Sequence, residues 1–413
     1  MRVLMLSWEY PPRTVGGLAR HAYELTRSLV KKGVRVDLLT ARENQLPVEE
    51  NMEGVQVFRV DPYHGDPGGF PAWVMRLNMA LLEKGSALAS WQDYDLLHAH
   101  DWLVAYAARG LKHAFKLPLL ATIHATEHGR NQGLHNDLQR YISDVEWWLT
   151  FEAWKVICCS LYMERELVKV FQLPRDKIRV IYNGIRLDEL NAPAGAEKKR
   201  LQFAQPGEKI IFFVGRLVRE KGVDTLLEAA SMLVGYNIPF KLIIAGKGPE
   251  GDYLRHKTWK MGLQDRVLFT GYINDEDKNL IYHLADAAVF PSLYEPFGIV
   301  ALESMAAQTP ALVSDVGGFE EIVKHDLDGL KFYAGDAASL TSQLVRLFNE
   351  NELALRLRDN GLQKARQFSW EEIASQTIDL YQEMSNSREA FSWQENLLIE
   401  EKEQDVPSRY QGA

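Results

Sequence analysis

Two glutamates eight residues apart, Glu295 and Glu303, enclose a segment that suits the binding of a hydroxylated anion. A short apolar run before Glu295 reads as a buried strand, and the apolar spacing after it becomes helical. Glu295 is therefore expected at the carboxyl end of a strand, with Glu303 on the following helix. The amides of Phe297, Gly298 and Ile299 would be unpaired donors at the positive end of that helix. Two carboxylates and free amides match such a ligand, and ordinary solvent-exposed acids are the alternative.

Two cations, Arg216 and Lys221, follow the predicted strand 210–214 and flank the start of the next helix. Cationic side chains and free helix amides together can neutralise a diphosphate, the group that a departing nucleoside diphosphate carries. The alternative is an exposed basic turn, since surface charge is common. Gly246 and Tyr272 lie in the loops after two later predicted strands.

In the first half of the chain, glycines and polar residues follow predicted strands. Gly16 and Gly17 come between a strand and a helix, where backbone without side chains can approach a phosphate or a sugar closely; a simple turn is the alternative. Their spacing matches neither Gly-x-Gly-x-x-Gly nor the Walker pattern, so a dinucleotide or Walker-type site is not supported. Glu9 follows the same strand.

The segment 98–102, His-Ala-His-Asp-Trp, ends another predicted strand. A carboxylate at Asp101 beside the indole of Trp102 suits a sugar, because one binds hydroxyls and the other covers the apolar face of the ring. The His-x-His spacing is compatible with a metal site, but local spacing places no third ligand, and structural hydrogen bonding by both histidines is the alternative. We therefore predict no metal ligands.

Alternating strands and helices must position these residues, and the apolar pattern predicts that alternation in both halves of the chain. It implies doubly wound parallel sheets, whose ligands sit beyond the carboxyl ends of the strands. The length of 413 residues allows two domains, and the polar segment 186–208 is the predicted connection. We expect an α/β fold with domains at 1–185 and 209–369, followed by a mobile acidic tail at 385–413.

Composition narrows the class of protein. The formal charge of −9 argues against nucleic acid or an anionic membrane as a general partner. The two cysteines, Cys158 and Cys159, are adjacent and are expected to stay reduced. No window reaches the roughly 18 apolar residues of a membrane span, and the N-terminus does not read as a signal sequence, so we expect a cytoplasmic protein.

Motifs spread along the chain carry a family resemblance. They are Pro-Pro-x3-Gly-Gly-Leu at 11–18, His-x-His-Asp-Trp at 98–102, Thr-Ile-His at 122–124, Arg-x4-Lys at 216–221, Glu-Pro-Phe-Gly-x4-Glu at 295–303 and Gly-Gly-x-x-Glu at 317–321. Over roughly residues 1–384, this set resembles the retaining glycosyltransferases of family 4 and the related bacterial glycogen and starch synthases. One departure is Thr14, where those synthases have a lysine.

The resemblance implies the GT-B architecture, in which two Rossmann-like domains face each other across a cleft and a helix, here at 370–384, crosses back to the first domain. It also implies that Arg216 and Lys221 stabilise the departing diphosphate, that Glu295 binds a sugar hydroxyl, and that Glu303 holds the ribose. The displacement would be front-face, with the leaving phosphate accepting the proton of the acceptor.

For the remaining donor contacts, the resemblance implies that the nucleobase lies against the loops at Gly246 and Tyr272, mostly through main chain. Gly16 and Gly17 would approach the phosphate from the opposite domain. The histidine after the Thr-Ile strand end, His124, would touch the donor sugar, with its backbone carbonyl facing the anomeric carbon. A satisfied core histidine is the alternative at that position.

The acceptor would lie in the cleft beside Asp101, Trp102 and Glu9. We therefore expect a hexosyltransferase that moves glucose from ADP-glucose or UDP-glucose to an α-1,4-glucan or maltooligosaccharide, with no cofactor and no metal. A family 4 enzyme acting on a lipid, a small alcohol or a sugar phosphate is the first alternative. A sugar-nucleotide epimerase of the same architecture and a non-catalytic glucan-binding protein are the others.

Overall fold

The first 180 residues build one sheet in the computed structural model, which describes residues 1–43, 45–65, 68–187, 190 and 195–404. The order across this sheet is β3-β4-β2-β1-β5-β6-β7-β8 in chain numbering. β3 runs antiparallel to β4, and the other described neighbours are parallel. The strands are β1 (Arg2–Leu6), β2 (Arg35–Ala41), β3 (Glu49–Met52), β4 (Val55–Val60), β5 (Leu96–His100), β6 (Leu119–Ile123), β7 (Lys155–Cys158) and β8 (Ile178–Val180).

Helices cover both faces of this sheet, which is why most of its strands are continuous apolar runs rather than alternating ones. β5 and β6, for example, are buried at every position. A short 3-10 turn, Trp102–Val104, follows β5. The helices are α1 (Gly17–Lys31), α2 (Gly69–Ala89), α3 (Ala105–Phe115), α4 (Glu127–Arg130), α5 (Asp137–Glu152) and α6 (Leu161–Phe171).

A second, parallel sheet follows, with the strand order β11-β10-β9-β12-β13-β14. Its strands are β9 (Lys209–Val214), β10 (Phe240–Ala245), β11 (Val267–Gly271), β12 (Ala287–Phe290), β13 (Ala311–Ser314) and β14 (Leu330–Phe332). The helices around it and after it are α7 (Ala196–Lys199), α8 (Val223–Val234), α9 (Gly251–Lys260), α10 (Asp275–Leu284), α11 (Ile299–Ala306), α12 (Phe319–Ile322), α13 (Ala337–Asn349), α14 (Asn351–Ala365) and α15 (Trp370–Gln404).

Each sheet has a point at which the strand order reverses, and most of the predicted site residues follow the strands that meet there. His124, Gly246 and Tyr272 follow β6, β10 and β11 instead. In the first sheet the reversal falls between β1 and β5, and in the second between β9 and β12. The loops after such a pair diverge to opposite faces of the sheet, which opens a crevice at their carboxyl ends. The predicted α/β fold with two doubly wound domains is confirmed.

The long helix α15 packs on the first domain although it follows the second in sequence. It contacts α1, and its Trp370, Ile373 and Tyr381 are buried with side chains of β1 and β2. The expected end of this helix near residue 384 is wrong, since α15 continues to Gln404. We keep the domain bounds 1–185 and 209–369 as a proposal, and the mobility of the tail 385–413 stays a prediction; residues 405–413 lie outside the described residues.

A glycine at the start of α8 fixes how the turn after β9 meets the loop after β12. Gly222 has a φ of +63°, and a Cβ there would lie 1.9 Å from the backbone oxygen of Pro291. The backbone of Glu220 also accepts hydrogen bonds from Leu293 at 2.7 Å and Tyr294 at 3.4 Å. The two loops therefore pack backbone against backbone, and no side chain fits between them.

We predict that Gly222→Ala lowers the melting temperature by more than Gly262→Ala does. Gly262 has a similar φ of +69° but no atom within 4 Å of a Cβ, so its substitution carries only the left-handed strain of about 1–2 kcal/mol. Gly222→Ala adds the displacement of the Pro291 backbone, of order 1–3 kcal/mol further. Thermal unfolding followed by circular dichroism measures both variants, and equal losses would show that the loops do not need this contact.

Candidate active site

Glu295 forms an ion pair with Lys221 at the reversal point of the second sheet. The Lys221 Nζ lies 2.7 Å from Glu295 Oε2, and the Ser292 hydroxyl donates to the same oxygen at 3.0 Å. Glu295 is 7% exposed, whereas the side chain of Lys221 is 25% exposed. The structure thus brings together two residues that the sequence predicts for the donor, 74 positions apart.

The glycine pair at 317–318 supports the backbone that carries Glu295. A Cβ on Gly317 would lie 2.1 Å from the backbone oxygen of Glu295, and one on Gly318 would lie 2.3 Å from that of Phe297. The Gly318 amide also donates to the Glu295 carbonyl at 2.8 Å. The Gly-Gly-x-x-Glu motif therefore has a structural reason, because only glycine lets these two loops approach so closely.

The segment between the two glutamates packs side chains into the core and leaves backbone available to a ligand. The ring of Phe297 is buried against Tyr182 and Phe368, at centroid distances of 5.9 and 6.1 Å. Gly298 precedes α11 with a φ of +108°, and a Cβ there would lie 2.4 Å from the ring of Phe319. α11 begins at Ile299, which is partly exposed. Only the backbone of 297–299 is therefore offered to a ligand, at the amino end of the helix.

Glu303 is buried on α11 and is held by cations from both domains. Its Oε1 lies 3.0 Å from Lys278 Nζ and 3.3 Å from Arg20 Nη1, and the Tyr282 hydroxyl donates to Oε2 at 3.3 Å. Burial by itself raises the pKa of Glu303, but Lys278 and Arg20 outweigh it and the pKa is lowered. Arg20 lies on α1, so this ion pair crosses from the first domain to the second. Neither cation could be predicted from the motifs.

The three loops after β9, β10 and β11 form one packed unit. A Cβ on Gly246 would lie 1.8 Å from the backbone oxygen of Gly215, and the Gly246 amide donates to the Gly271 carbonyl at 2.8 Å. At the edge of this unit, Tyr272 is 69% exposed. Arg216 is also exposed and pairs with no acid among the described residues. Arg216 is thus an unneutralised guanidinium in the loop after β9 that also carries Lys221.

In the first domain, Glu9 holds the glycine loop in place. It is 2% exposed, and its Oε2 accepts from the amides of Val15 at 2.5 Å and Gly16 at 3.2 Å. Gly16 has an extended φ of −156°, and a Cβ on Gly17 would meet no atom within 4 Å. No neighbouring atom therefore requires glycine at either position. The space in front of the loop is open. Acceptor binding by Glu9 stays a prediction, because its carboxylate already serves the loop.

Asp101 positions the backbone of His124. Its Oδ1 accepts from the His124 amide at 2.8 Å, and its own backbone has a φ of +60°. Burial raises the pKa of Asp101 to about 6, against the opposing effects of Arg130 and of the His124 amide. Trp102 is 4% exposed beneath this contact. Both were predicted to contact the acceptor, and that role stays a prediction.

His124 belongs to a buried group of imidazoles. Its Nε2 lies 3.1 Å from His100 Nδ1, and its ring lies 4.6 Å from that of His21, measured between centroids. His98 is hydrogen-bonded to Tyr381 of α15 at 2.8 Å. Burial lowers the pKa of all four histidines, that of His124 to about 3, so these rings are neutral at pH 7.

The histidine group also bears on the metal prediction. Ligand atoms of His21, His100 and His124 all lie within 4.8 Å of one another, so the fold brings up a third nitrogen that local spacing could not reveal. The contact between His100 and His124 is a hydrogen bond, however, and it needs a proton where a metal would need a lone pair. The expected absence of a metal stays a prediction.

The two domains touch next to His124. The Ser160 hydroxyl donates to the carbonyl of Pro296 at 2.6 Å, and the thiol of Cys159 lies 3.6 Å from the same oxygen. Glu321 accepts from the amides of Leu161 and Tyr162, at 3.0 and 2.8 Å, and so caps α6 of the other domain. These contacts, with the Cys159 thiol also 4.0 Å from the His124 carbonyl, place the loop of Glu295 next to the end of β6.

Comparison with known proteins shows the family to which the chain belongs. The family model described as Glycosyltransferase Family 4 matches residues 15–189, and the one described as Glycosyl transferases group 1 matches residues 196–364. An uncharacterized glycosyltransferase of Methanocaldococcus jannaschii is 38% identical over 387 residues, which cover 92% of this chain and 98% of that protein. The chain is a family 4 glycosyltransferase. The resemblance drawn from its motifs is thereby confirmed.

Two further relatives bear on this glycosyltransferase. A glycogen synthase of Mycobacterium tuberculosis is 35% identical over 398 residues, covering 92% of this chain and 94% of the relative. The solved structure of sucrose-phosphate synthase from Thermosynechococcus elongatus superposes with a TM-score of 0.83 at 27% identity, over 94% of this chain and 99% of that one. The expected GT-B fold is confirmed. Among the described residues, no helix combines the length and apolar character that crossing a membrane requires.

The burial of Glu9 leads to a prediction of how the stability of the protein depends on pH. Burial raises its pKa from the ordinary 4.5 to about 7, against the opposing hydrogen bonds from Val15 and Gly16. Below pH 4.5 both the folded and unfolded chains carry the proton. Between pH 4.5 and 7 only the unfolded chain ionises, so this group costs increasing stability as the pH rises, and the full cost applies above pH 7.

Glu9→Gln keeps an acceptor oxygen but cannot ionise. The difference in melting temperature between Glu9→Gln and the wild type should therefore become more favourable to the variant from pH 4 to pH 8, with most of the change below pH 7. Differential scanning fluorimetry across this range measures it. Glu43→Gln, at an exposed loop position, is the control. A difference that does not vary with pH would mean that Glu9 ionises normally in the folded protein.

Proposed function

We propose that this glycosyltransferase moves glucose, with retention, from ADP-glucose or UDP-glucose to an α-1,4-glucan or maltooligosaccharide. The observation that carries the proposal is the pairing of Lys221 with Glu295 beside the unneutralised Arg216. This arrangement joins a site for diphosphate charge to an acceptor for sugar hydroxyls, as transfer from a nucleotide sugar requires. The glycogen synthase relative supports the choice of glucose and glucan.

On the donor side, Arg216 and Lys221 stabilise the negative charge that grows on the departing diphosphate. Lys221 is 25% exposed and can turn from Glu295 towards the phosphate, which frees that carboxylate for a sugar hydroxyl. Glu303 accepts from the ribose hydroxyls on the far side of α11. The amides of 297–299 and the open space before Gly16 and Gly17 complete the phosphate contacts from the two domains.

At the reacting centre, the donor sugar meets His124, whose amide is fixed by Asp101. Burial keeps the imidazole neutral at pH 7, so His124 has no proton to give as a general acid and acts through hydrogen bonding and its backbone carbonyl. The leaving phosphate itself takes the proton of the acceptor hydroxyl, in a front-face displacement. Asp101, Trp102 and Glu9 line the acceptor side.

A second candidate acceptor is a sugar phosphate. It is favoured by the likeness in fold to sucrose-phosphate synthase, at 27% identity. The donor residues would keep the same roles in both reactions, because the two candidates differ only in what enters from the side of Asp101. A direct assay therefore has to separate them.

The test is to incubate the protein with radiolabelled ADP-glucose and UDP-glucose, alone, with maltooligosaccharides, and with sugar phosphates. The proposal expects label in lengthened maltooligosaccharides, with the new linkage in the α configuration. Label found only with sugar phosphates would favour the second candidate. Conversion of the donor without any acceptor would point to an epimerase, and binding of glucan without turnover of either donor would point to a non-catalytic glucan-binding protein.

Lys221→Ala is predicted to lower kcat by about 10²- to 10³-fold while changing the dissociation constant of the nucleotide sugar far less. The reason is that its charge matters most in the transition state, where the diphosphate departs. Steady-state kinetics and isothermal titration calorimetry separate the two effects. Lys257→Ala is the control, since Lys257 pairs with Asp224 and Glu228 at 2.6 and 2.8 Å outside the crevice. An unchanged kcat would remove Lys221 from the mechanism.

A further inference from the structure

Aromatic side chains gather at the carboxyl edge of the first sheet, beside the proposed acceptor cleft. Trp8 follows β1, whereas Phe70 and Trp73 lie in the first turns of α2. The ring centroids of Trp8 and Trp73 are 6.2 Å apart, and those of Phe70 and Trp73 are 5.9 Å apart with the rings nearly parallel, at 8°. We call these three side chains the aromatic platform.

The aromatic platform stays partly open to solvent. Phe70 is 47% exposed, and Trp8 and Trp73 are partly exposed. Trp102, by contrast, is buried beneath Phe70, edge-on at 6.0 Å. Aromatic faces left in water do not contribute the free energy that their burial would release. Grouped exposed aromatic rings of this kind are typical of a ligand-binding surface.

Arg13 contacts both indoles of the aromatic platform from one side. Its guanidinium lies 5.3 Å from the ring centre of Trp8 and 5.4 Å from that of Trp73, and its backbone bridges to Tyr10. It forms no ion pair with an acid among the described residues. The cation thus stabilises the arrangement of the rings, since a guanidinium that contacts both indoles restricts both. The aromatic platform is therefore built in advance of any ligand.

The aromatic platform is continuous with the proposed active site on two sides. Trp8 is next to Glu9, whose carboxylate holds the glycine loop, and Phe70 rests on Trp102, which is next to Asp101. A chain that entered the acceptor cleft would therefore pass over these rings. Among the described residues, Arg13 is the one cation stacked on these rings, and the remaining contacts given for them are with other aromatic rings. A surface of aromatic rings favours an uncharged ligand with an apolar face.

We propose that the aromatic platform binds the glucose units of an α-glucan acceptor beyond the unit that receives the new sugar. This proposal rests on the proposed function and deepens it by naming the surface that distinguishes long acceptors from short ones. The apolar face of each pyranose stacks on a ring while its hydroxyls stay in water, the mixture that aromatic side chains serve best. A row of rings about 6 Å apart offers more surface than one monosaccharide covers, so longer acceptors gain more.

The test compares Phe70→Ala with the wild type on maltooligosaccharides of two to seven units. The KM for maltoheptaose should rise roughly 3- to 10-fold, the KM for maltose should change little, and the KM for the nucleotide-glucose should stay the same. Phe70→Tyr keeps the ring and should restore the wild-type KM. Trp91→Ala is the matched control, because Trp91 is 90% exposed just past the opposite end of α2 and should leave every KM unchanged.

Binding of maltoheptaose to the intact protein, measured by titration calorimetry without donor, separates this proposal from the proposed function. If no transfer to glucans occurs but maltoheptaose binds, and Phe70→Ala weakens that binding, the aromatic platform stands and the proposed reaction fails. If glucans are extended and Phe70→Ala keeps the wild-type KM at every acceptor length, the proposal for the aromatic platform fails and the proposed function stands. An alkyl glucoside that binds in proportion to its alkyl length, with no binding of maltoheptaose, would overturn it in favour of a lipid.

Discussion

The ion pair between Lys221 and Glu295 is the contact on which the proposed site depends, and backbone packing determines it. β9 and β12 are neighbours at the reversal point of the second sheet, so the loops that follow them leave the same edge. Gly222 and Gly317 then let the turn of Lys221 and the loop of Glu295 meet other backbone at distances where any side chain would collide. The backbone that carries the cation and the carboxylate is therefore positioned by packing more than by their mutual attraction, so a ligand can replace the ion pair without displacing the loops.

The two domains use their acids differently. In the first domain, the carboxylates of Glu9 and Asp101 turn inward and hold amides of the glycine loop and of His124. Burial raises the pKa of both, so they are costly to ionise and suited to positioning. In the second domain, Glu295 and Glu303 are paired with cations instead. This division fits a cleft in which charged side chains of the second domain bind the donor, while buried carboxylates of the first domain position the backbone that lines the cleft.

Sequence motifs predicted the fold, and they supplied the residues of the proposed site, but they did not predict the contacts that join the domains. Apolar runs and their flanking loops were sufficient to place Glu295 at a strand end and Gly298 before a helix, since both follow from local periodicity. Arg20 carries no local signal, and the motif that contains Glu321 does not reveal its partners, because in both cases the contact is to the other domain, 283 and about 160 positions away in the chain. β3 was missed for a different reason: its sequence, Glu-Glu-Asn-Met, has no apolar alternation and pairs only at the edge of the sheet.

The most direct measurement of the central claim is a crystal structure of the protein with ADP-glucose or UDP-glucose bound. The account predicts that the pyrophosphate lies between the two domains, within hydrogen-bonding distance of Arg216 and Lys221. Glu295 should contact a hydroxyl of the glucose, and Glu303 the ribose in place of Arg20. A donor bound away from the reversal point of the second sheet, with the pair of Lys221 and Glu295 undisturbed, would contradict the account.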